Sequence, residues 1–325
     1  MRKAFGLFWL FFFLYFIFAH PAIIYYGSEY PRRYLDQVNP TETFVYLGMS
    51  FVLWTIVLGV LLAVIFKYTI QTKWNINKIN QRGKRIEARI VQASGSTIFE
   101  HNTAIKSLVL ALHNFEGESI RHMMEVRDSK PEERRFEEGK HIHLRVDSSF
   151  KQRPYVIVEG TKGKVNGWFF VGWLLFFVGI VYYYVFSYQL ESQGFGWRFL
   201  TLSHPLLSSA GFLILFAGIL YLIAKFLIFK KLNIGSSSLA LKFRGKRVNG
   251  TVVQVQQTGT YINEQPEVRF DVEYSDDKGI VHQVVLKKIV SLLEVGSVKH
   301  QTSCMLFYDP KEPKKVQFEQ DINPM

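Results

Sequence analysis

Histidine and cysteine are the residue types in this chain that could do catalytic or metal chemistry, but their spacing favours neither. His141 and His143 would share one face of a strand, and no third ligand lies at a suitable spacing. We expect a solvated strand face there.

Cys304 is the only cysteine, so no intramolecular disulfide is possible, and we expect a buried, inert thiol. Nucleotide-binding, metalloprotease and serine-hydrolase motifs are missing from the sequence. We therefore predict a protein that is not an enzyme and has no cofactor or metal.

One segment, residues 128–138, mixes acidic and basic side chains densely. We expect a solvated loop, with a docking surface for a partner as the alternative. Under either interpretation its deletion should leave folding intact.

The tetrapeptide RGKR occurs twice, each time shortly after an apolar block. Basic residues at that place are typical of topology determination and of contact with anionic phospholipid headgroups, at roughly 1 kcal/mol each. Specific recognition of an anionic lipid is the alternative. The cluster residues are Arg82, Lys84, Arg85, Arg244, Lys246 and Arg247.

Four apolar blocks anchor the elements that carry these residues. The chain is 48% hydrophobic, and the apolar residues concentrate in segments 5–26, 44–66, 168–188 and 206–229. Each segment approaches or exceeds the roughly 20 residues that cross a bilayer. The first is longer than the apolar part of a signal peptide, so we expect it to be retained. The pattern predicts four transmembrane helices.

Lysine and arginine flank these blocks unevenly. The short loops 27–43 and 189–205 hold only Arg32, Arg33 and Arg198, whereas the long polar segments are basic. Both termini and both long polar segments should therefore be cytoplasmic. We attribute the net charge of +12 to attraction by the anionic leaflet and expect no nucleic-acid partner.

The predicted spans contain no Asp, Glu or Arg. Ionisable residues mark most ion pathways in membranes, so this argues against a coupled transporter but leaves a passive pore open. Small residues at helix-contact spacing predict close helix packing, within the bundle or against another membrane subunit. They are Gly59, Ala63, Gly172, Gly179, Gly211 and Gly218.

An internal repeat relates the two halves of the chain. The RGKR motif recurs 162 positions later, and the same offset pairs Val91 with Val253, Gln92 with Gln254 and Asp147 with Asp309. It also superimposes the second apolar block on the fourth. We interpret the chain as a tandem duplication with both copies in the same orientation. The predicted boundaries are helix hairpins 1–68 and 161–230, stalks 69–81 and 231–243, and β-domains 82–160 and 244–325.

The strand pattern is clearest in the second β-domain. Residues 267–274 alternate, which places Val268, Phe270, Val272 and Tyr274 on one face, and we expect that face to be core. One turn is predicted at 276–279, and another is predicted to end at 295–296. The fold class is therefore membrane α + β, with four transmembrane helices and two small antiparallel SH3-like or OB-like barrels.

The last third of the chain resembles the prokaryotic membrane proteins grouped as domain-of-unknown-function family 3592. The resemblance rests on GTVV from residue 250, FDVEY from residue 270, Gly279, the pair at 295–296 and YDPKEP from residue 308. The first copy diverges from this pattern. The resemblance implies this architecture and a bacterial inner membrane, but it implies no activity.

With no reaction centre in view, we expect a non-enzymatic membrane scaffold or accessory subunit. It would present paired cytoplasmic β-domains to a protein partner or to a second copy of itself. The alternative is a transporter or channel component whose helices line a solute path, and a membrane enzyme ranks last.

Overall fold

The computed structural model describes residues 2–30, 34–100, 103–128, 130–223, 225 and 236–323. Arg32, Arg33, the end of the predicted fourth span and the start of the predicted second stalk lie outside the described residues. The chain divides into two compact units. The helical unit comprises Met1–Lys73 and Lys164–Lys231, and the sheet unit comprises Trp74–Gly163 and Leu232–Met325.

Four helices in the described residues are long and apolar enough to cross a membrane, as predicted: Phe5–Glu29, Pro40–Arg82, Trp168–Glu191 and Pro205–Ile223. The first contains α1 (Arg2–Leu14), a π-helical turn (Tyr15–Ala19), α2 (His20–Ile24) and a second π-helical turn (Tyr25–Glu29). The second contains α3 (Pro40–Phe66), a π-helical turn (Lys67–Gln71) and α4 (Thr72–Arg82). The other two are α5 (Trp168–Glu191) and α6 (Pro205–Ile223).

The helix starts follow local rules. Asn39 caps α3, since its side chain accepts a hydrogen bond from the Thr41 backbone N–H at 3.0 Å, and Pro40 occupies the first turn. The turn between α5 and α6 needs positive φ at Gly194 and Gly196, with values of 84° and 66°. A 3₁₀ turn, Gly196–Phe199, then leads towards α6.

The core of the helical unit lies near the loops that join the helices of each pair. The Leu206 carbonyl, at the start of α6, accepts hydrogen bonds from Trp54 Nε1 and from the Ser50 hydroxyl, both at 2.8 Å. Much of the remaining helix surface is exposed and apolar; Leu175, for example, is 67% exposed. Such a surface is typical of helices that face lipid. Buried core residues are Leu35, Trp54, Val57, Ile180, Tyr184, Phe199, Leu200, Leu206, Leu207 and Ala210.

The sheet unit contains two antiparallel five-stranded sheets. The first is formed by β1 (Lys84–Glu100), β2 (Thr103–His113), β3 (Ser119–Asp128), β4 (His141–Val146) and β5 (Val156–Val158), in the order β3-β2-β1-β4-β5. The second is formed by β6 (Lys246–Ile262), β7 (Gln265–Ser275), β8 (Val281–Ile289), β9 (Ser303–Asp309) and β10 (Glu312–Phe318), in the order β10-β9-β6-β7-β8. The second sheet is barrel-like, because β10 also approaches β8.

The two sheets have the same connectivity. In chain order, β1 to β5 correspond to β6 to β10. Replacing each strand of the first sheet by its counterpart gives β8-β7-β6-β9-β10, which is the order of the second sheet read from its opposite edge. Each central strand also contains a one-residue β-bulge. The bulged residue is Val91 of β1, where it pairs with β2, and Val253 of β6, where it pairs with β7. These bulges lie at equivalent positions of two 17-residue strands.

The predictions for the second sheet hold for the core face of β7 and for the turns that follow it. Val268, Phe270, Val272 and Tyr274 are all at most 3% exposed, which confirms the predicted core face. The turn at 276–279 is also present, with Gly279 at φ 77°. The turn predicted to end at 295–296 is present at residues 292–294, and the short helix α8 (Val295–Lys299) follows it directly.

The described part of the second predicted stalk is not a spacer. Residues 236–244 form α7 (Ser236–Arg244), and Ala240, Leu241 and Phe243 are buried in one core with the first sheet. Phe307 of β9 joins the same core, as does Ile322 of the short helix α9 (Glu319–Ile322). We expected separate β-domains, but the two sheets share apolar core and form one compact unit.

Candidate functional site

Each RGKR motif forms a corner between a helix and a strand. Gly83 joins α4 to β1 and Gly245 joins α7 to β6, and each donates its backbone N–H to the carbonyl four residues earlier, at 2.7 Å. A Cβ added at either glycine would lie 2.4 Å from that carbonyl oxygen. The glycine of the motif is therefore required by packing, a role that the sequence analysis missed.

Most of the predicted cluster cations make contacts inside the sheet unit. Arg85 pairs with Glu159 at 3.0 Å, Lys246 with Asp277 at 2.7 Å and Arg247 with Glu319 at 2.8 Å. The pKa of Lys246 is raised because Asp277 accepts its hydrogen bond. Lys84 lies 4.4 Å from the ring centroid of Phe115, and Arg244 lies 5.2 Å from that of Phe150. Arg82 instead lines an open cleft.

The predicted helix-packing residues do not bring helices together within the described part of this chain. A Cβ added at Gly59, Gly172, Gly179, Gly211 or Gly218 would meet no described atom within 4 Å. Ala63 is exposed as well. Packing against another membrane subunit stays a prediction.

The helical unit contains a buried carboxylate that the sequence analysis missed. Glu191 accepts hydrogen bonds from the Tyr25 hydroxyl at 2.6 Å, the Tyr26 hydroxyl at 2.9 Å and His204 Nε2 at 3.2 Å. The Glu191 and His204 side chains are both 0% exposed. We name these four residues the carboxylate cluster. They connect the first span, the end of α5 and the start of α6.

Local structure orients each donor of the carboxylate cluster. Tyr25 and Tyr26 are adjacent in a π-helical turn, and their hydroxyls reach the two different oxygens of Glu191. His204 caps α6, because its Nδ1 accepts the Leu206 backbone N–H at 3.1 Å. Since Nδ1 accepts there, the imidazole proton lies on Nε2 and is donated to the carboxylate.

The carboxylate cluster corrects the prediction of spans without acidic residues. The third span was predicted to end at residue 188, but α5 continues to Glu191. Its partner Tyr25 is 166 positions away in sequence. Among the described residues, no group of three or more His, Cys, Asp or Glu side chains is arranged to hold a metal ion. With its donors satisfied and the Glu191 and His204 side chains shielded from solvent, the cluster acts as a clamp between helices.

The described part of residues 128–138 is largely exposed, as expected of a solvated loop, but two of its side chains are buried. Asp128 is completely buried and pairs with Arg135 at 2.7 Å, and Lys106 lies 3.8 Å away. Phe136 is 6% exposed and belongs to the first core. Deleting the segment would remove Phe136 from the core, which argues against the expectation that the deletion leaves folding intact. Ser129 lies outside the described residues.

The remaining candidates have ordinary environments. His141 is exposed and lies 2.9 Å from Glu87. Cys304 is buried, as predicted, and burial raises the pKa of its thiol to about 11. A high thiol pKa leaves little thiolate at neutral pH, which makes the group inert.

Comparison of the chain with protein families, curated proteins and solved structures found no match. The resemblance to family 3592 stays a prediction.

Proposed function

We propose that this protein is a non-enzymatic scaffold or accessory subunit of a bacterial inner membrane, with its sheet unit in the cytoplasm. An exposed apolar surface on the second sheet carries the proposal. Val281, Val285 and Ile289 point outward along β8 with 63%, 53% and 37% exposure, and Leu292 and Leu293 follow with 61% and 95%. We name these five residues the β8 surface.

The β8 surface is not left over from an incomplete core. Between its residues, Val284 of the same strand points inward and is 8% exposed, so the core beneath is filled. Gln283 and Lys287 are exposed on the same face of β8, so the apolar side chains of this surface are interspersed with polar ones. Exposed apolar side chains bordered by polar residues on a finished sheet are typical of protein interaction sites. A second copy of the chain or a different protein would bury them.

The shared strand order and the equivalent bulges support a tandem duplication of a helix pair and a small SH3-like or OB-like sheet. In this proposal the first copy has lost its independence, because its core incorporates α7 of the second copy. The two copies together then form one composite sheet unit, which carries a single β8 surface. Anionic lipid headgroups would contact its membrane-proximal cations.

The carboxylate cluster favours a scaffold over a solute path. A carboxylate that relays ions must exchange with water from at least one side. Glu191 has no exposed surface and three donors already occupy it. Its hydrogen bonds hold the helices in one arrangement, which suits a rigid support.

The test is mild-detergent purification of three versions of the full chain, followed by mass determination and identification of co-eluting proteins. Leu292→Asp with Leu293→Asp disrupts the β8 surface. Val91→Asp with Met123→Asp is the matched control, since those apolar side chains are 45% and 62% exposed on the first sheet. We expect a stoichiometric partner or a dimer in wild type and control, and its loss in the Leu292 and Leu293 variant. A wild-type monomer without partners would contradict the proposal, as would robust solute flux through liposomes.

A further inference from the structure

A cleft opens in the sheet unit beside α4, where the first RGKR motif ends the helix. Three cations line it, Lys78 and Arg82 on α4 and Lys151 on the loop after β4. All three are exposed at the rim, and Ser149 and Gln152 add polar groups. The cavity measures about 110 Å³. Pockets that bury whole small molecules measure roughly 300–1,000 Å³, so this cleft accommodates only the charged end of a ligand.

The three cations have no acidic partner in the described part of the chain, in contrast to Arg85 nearby, which pairs with Glu159. One carboxylate, Asp147, also lines the cleft. Its oxygens accept hydrogen bonds from the Ser149 backbone N–H at 2.9 Å and the Ser149 hydroxyl at 2.8 Å. Asp147 is thus engaged by its own turn, and the lining keeps an excess of positive charge.

The residues that line this cleft differ between the two copies. At the offset of 162 positions, Ala240 replaces Lys78 and Pro313 replaces Lys151, whereas Arg244 keeps the charge of Arg82. Ala240 is 6% exposed because α7 packs into the shared core, whereas Lys78 on the corresponding face of α4 is exposed. The combination of Lys78, Arg82 and Lys151 is therefore particular to the first copy.

We propose that this cleft binds a phosphate group, with Arg82, Lys78 and Lys151 as its ligands. A guanidinium fork and two ammonium groups are the donors that proteins use for phosphate oxygens. The phosphate belongs to a lipid headgroup or to a small soluble phosphate, which share this chemistry. The proposal goes beyond the scaffold function and does not depend on the β8 surface.

The experiment uses the full chain in phosphatidylcholine nanodiscs and measures its thermal unfolding. In one arm inorganic phosphate is added in increasing concentration, and sodium chloride of equal ionic strength is the salt control. In the other arm the nanodiscs contain phosphatidic acid. The test variant combines Lys78→Gln, Arg82→Gln and Lys151→Gln. The matched control combines Lys278→Gln, Lys299→Gln and Lys311→Gln, which removes the same charge from exposed sites outside the cleft.

We expect phosphate or phosphatidic acid to stabilise wild type and control, and the test variant to bind at least about tenfold more weakly, because it lacks three charged hydrogen-bond donors. Stabilisation by inorganic phosphate identifies a soluble source, and stabilisation by phosphatidic acid alone identifies a lipid. The proposal is overturned if neither probe acts, or if test variant and control respond alike. A single charge reversal, Lys151→Glu at an exposed loop position, must also weaken binding, which guards against a folding defect of the triple variant.

Discussion

Glu191→Ala tests the carboxylate cluster as a clamp. The substitution removes the acceptor for three donors: the buried Tyr25 hydroxyl, the part-buried Tyr26 hydroxyl and the buried His204 Nε2. Each tyrosine hydroxyl has a second oxygen within 3.4 Å and can turn to it, at a loss of about 1 kcal/mol. The imidazole N–H has no second acceptor in the described part of the chain, and stranding it costs about 1–3 kcal/mol. The free energy of unfolding should therefore fall by about 3–5 kcal/mol.

Glu191→Gln separates geometry from charge. Glutamine keeps the volume and one acceptor oxygen, so we expect a loss of only about 1–2 kcal/mol. Glu29→Ala is the matched control, because Glu29 is a carboxylate of the first span that accepts a hydrogen bond from the exposed hydroxyl of Ser203. Its removal should cost less than about 1 kcal/mol.

The assay is titration of the detergent-solubilised protein with sodium dodecyl sulfate, followed by tryptophan fluorescence. Trp197 lies in the turn between Glu191 and His204, with its ring centroid 5.5 Å from that of Phe199, so its emission reports this end of the helical unit. An Ala variant as stable as Glu29→Ala would refute the clamp. Equal losses for Ala and Gln would show that the charge matters and the hydrogen-bond geometry does not.

Three further predictions concern the sheet unit. Gly83→Ala and Gly245→Ala should each lower the free energy of unfolding by about 1–3 kcal/mol, because the new Cβ would lie 2.4 Å from a carbonyl oxygen. Gly59→Ala is the control and should not destabilise the protein, because a Cβ there meets no described atom. Equal denaturation midpoints for the three variants would contradict this prediction. Phe243→Ala should lower the free energy of unfolding by about 3–5 kcal/mol and should speed amide hydrogen exchange in both sheets, because Phe243 is part of the core of the first sheet. Unchanged protection of the amides in β1 to β4 would mean that the two sheets are independent. Burial lowers the pKa of His122 to about 4, whereas the pKa of an unfolded histidine is near 6.5. Between these two pH values the unfolded chain binds more protons than the folded chain. The free energy of unfolding should therefore fall as the pH drops from about 6.5 to 4. His122→Phe should flatten that loss, and an unchanged pH profile would refute the assignment.

Local pattern was enough to predict several elements. Alternation in residues 267–274 placed the core face of β7 correctly, because a strand with one buried face has a period of two. The turn at 276–279 was readable because Asp276 accepts hydrogen bonds from the backbone N–H groups of Lys278 and Ile280, an interaction local to the turn.

Segments whose environment comes from distant residues were misinterpreted. Residues 128–138 look solvated by composition, yet Asp128 is buried against Arg135 and Phe136 enters a core. The stretch containing Ala240 and Phe243 looks like a spacer after a span, yet it packs against the first sheet. Charge and hydropathy averaged along the chain do not show which side chain meets a partner far away in sequence.

The sequence by itself determined four apolar helices of spanning length and the position and core face of β7, since transfer of apolar groups from water and backbone hydrogen bonding depend on local composition and period. Only the tertiary structure decided that two repeated sheets share core, that the glycines of the RGKR corners are required by packing and that Glu191 meets Tyr25 and His204. These outcomes depend on contacts between residues as many as 166 positions apart. Burial turns such contacts into strong hydrogen bonds, and burial is a property of the folded chain as a whole.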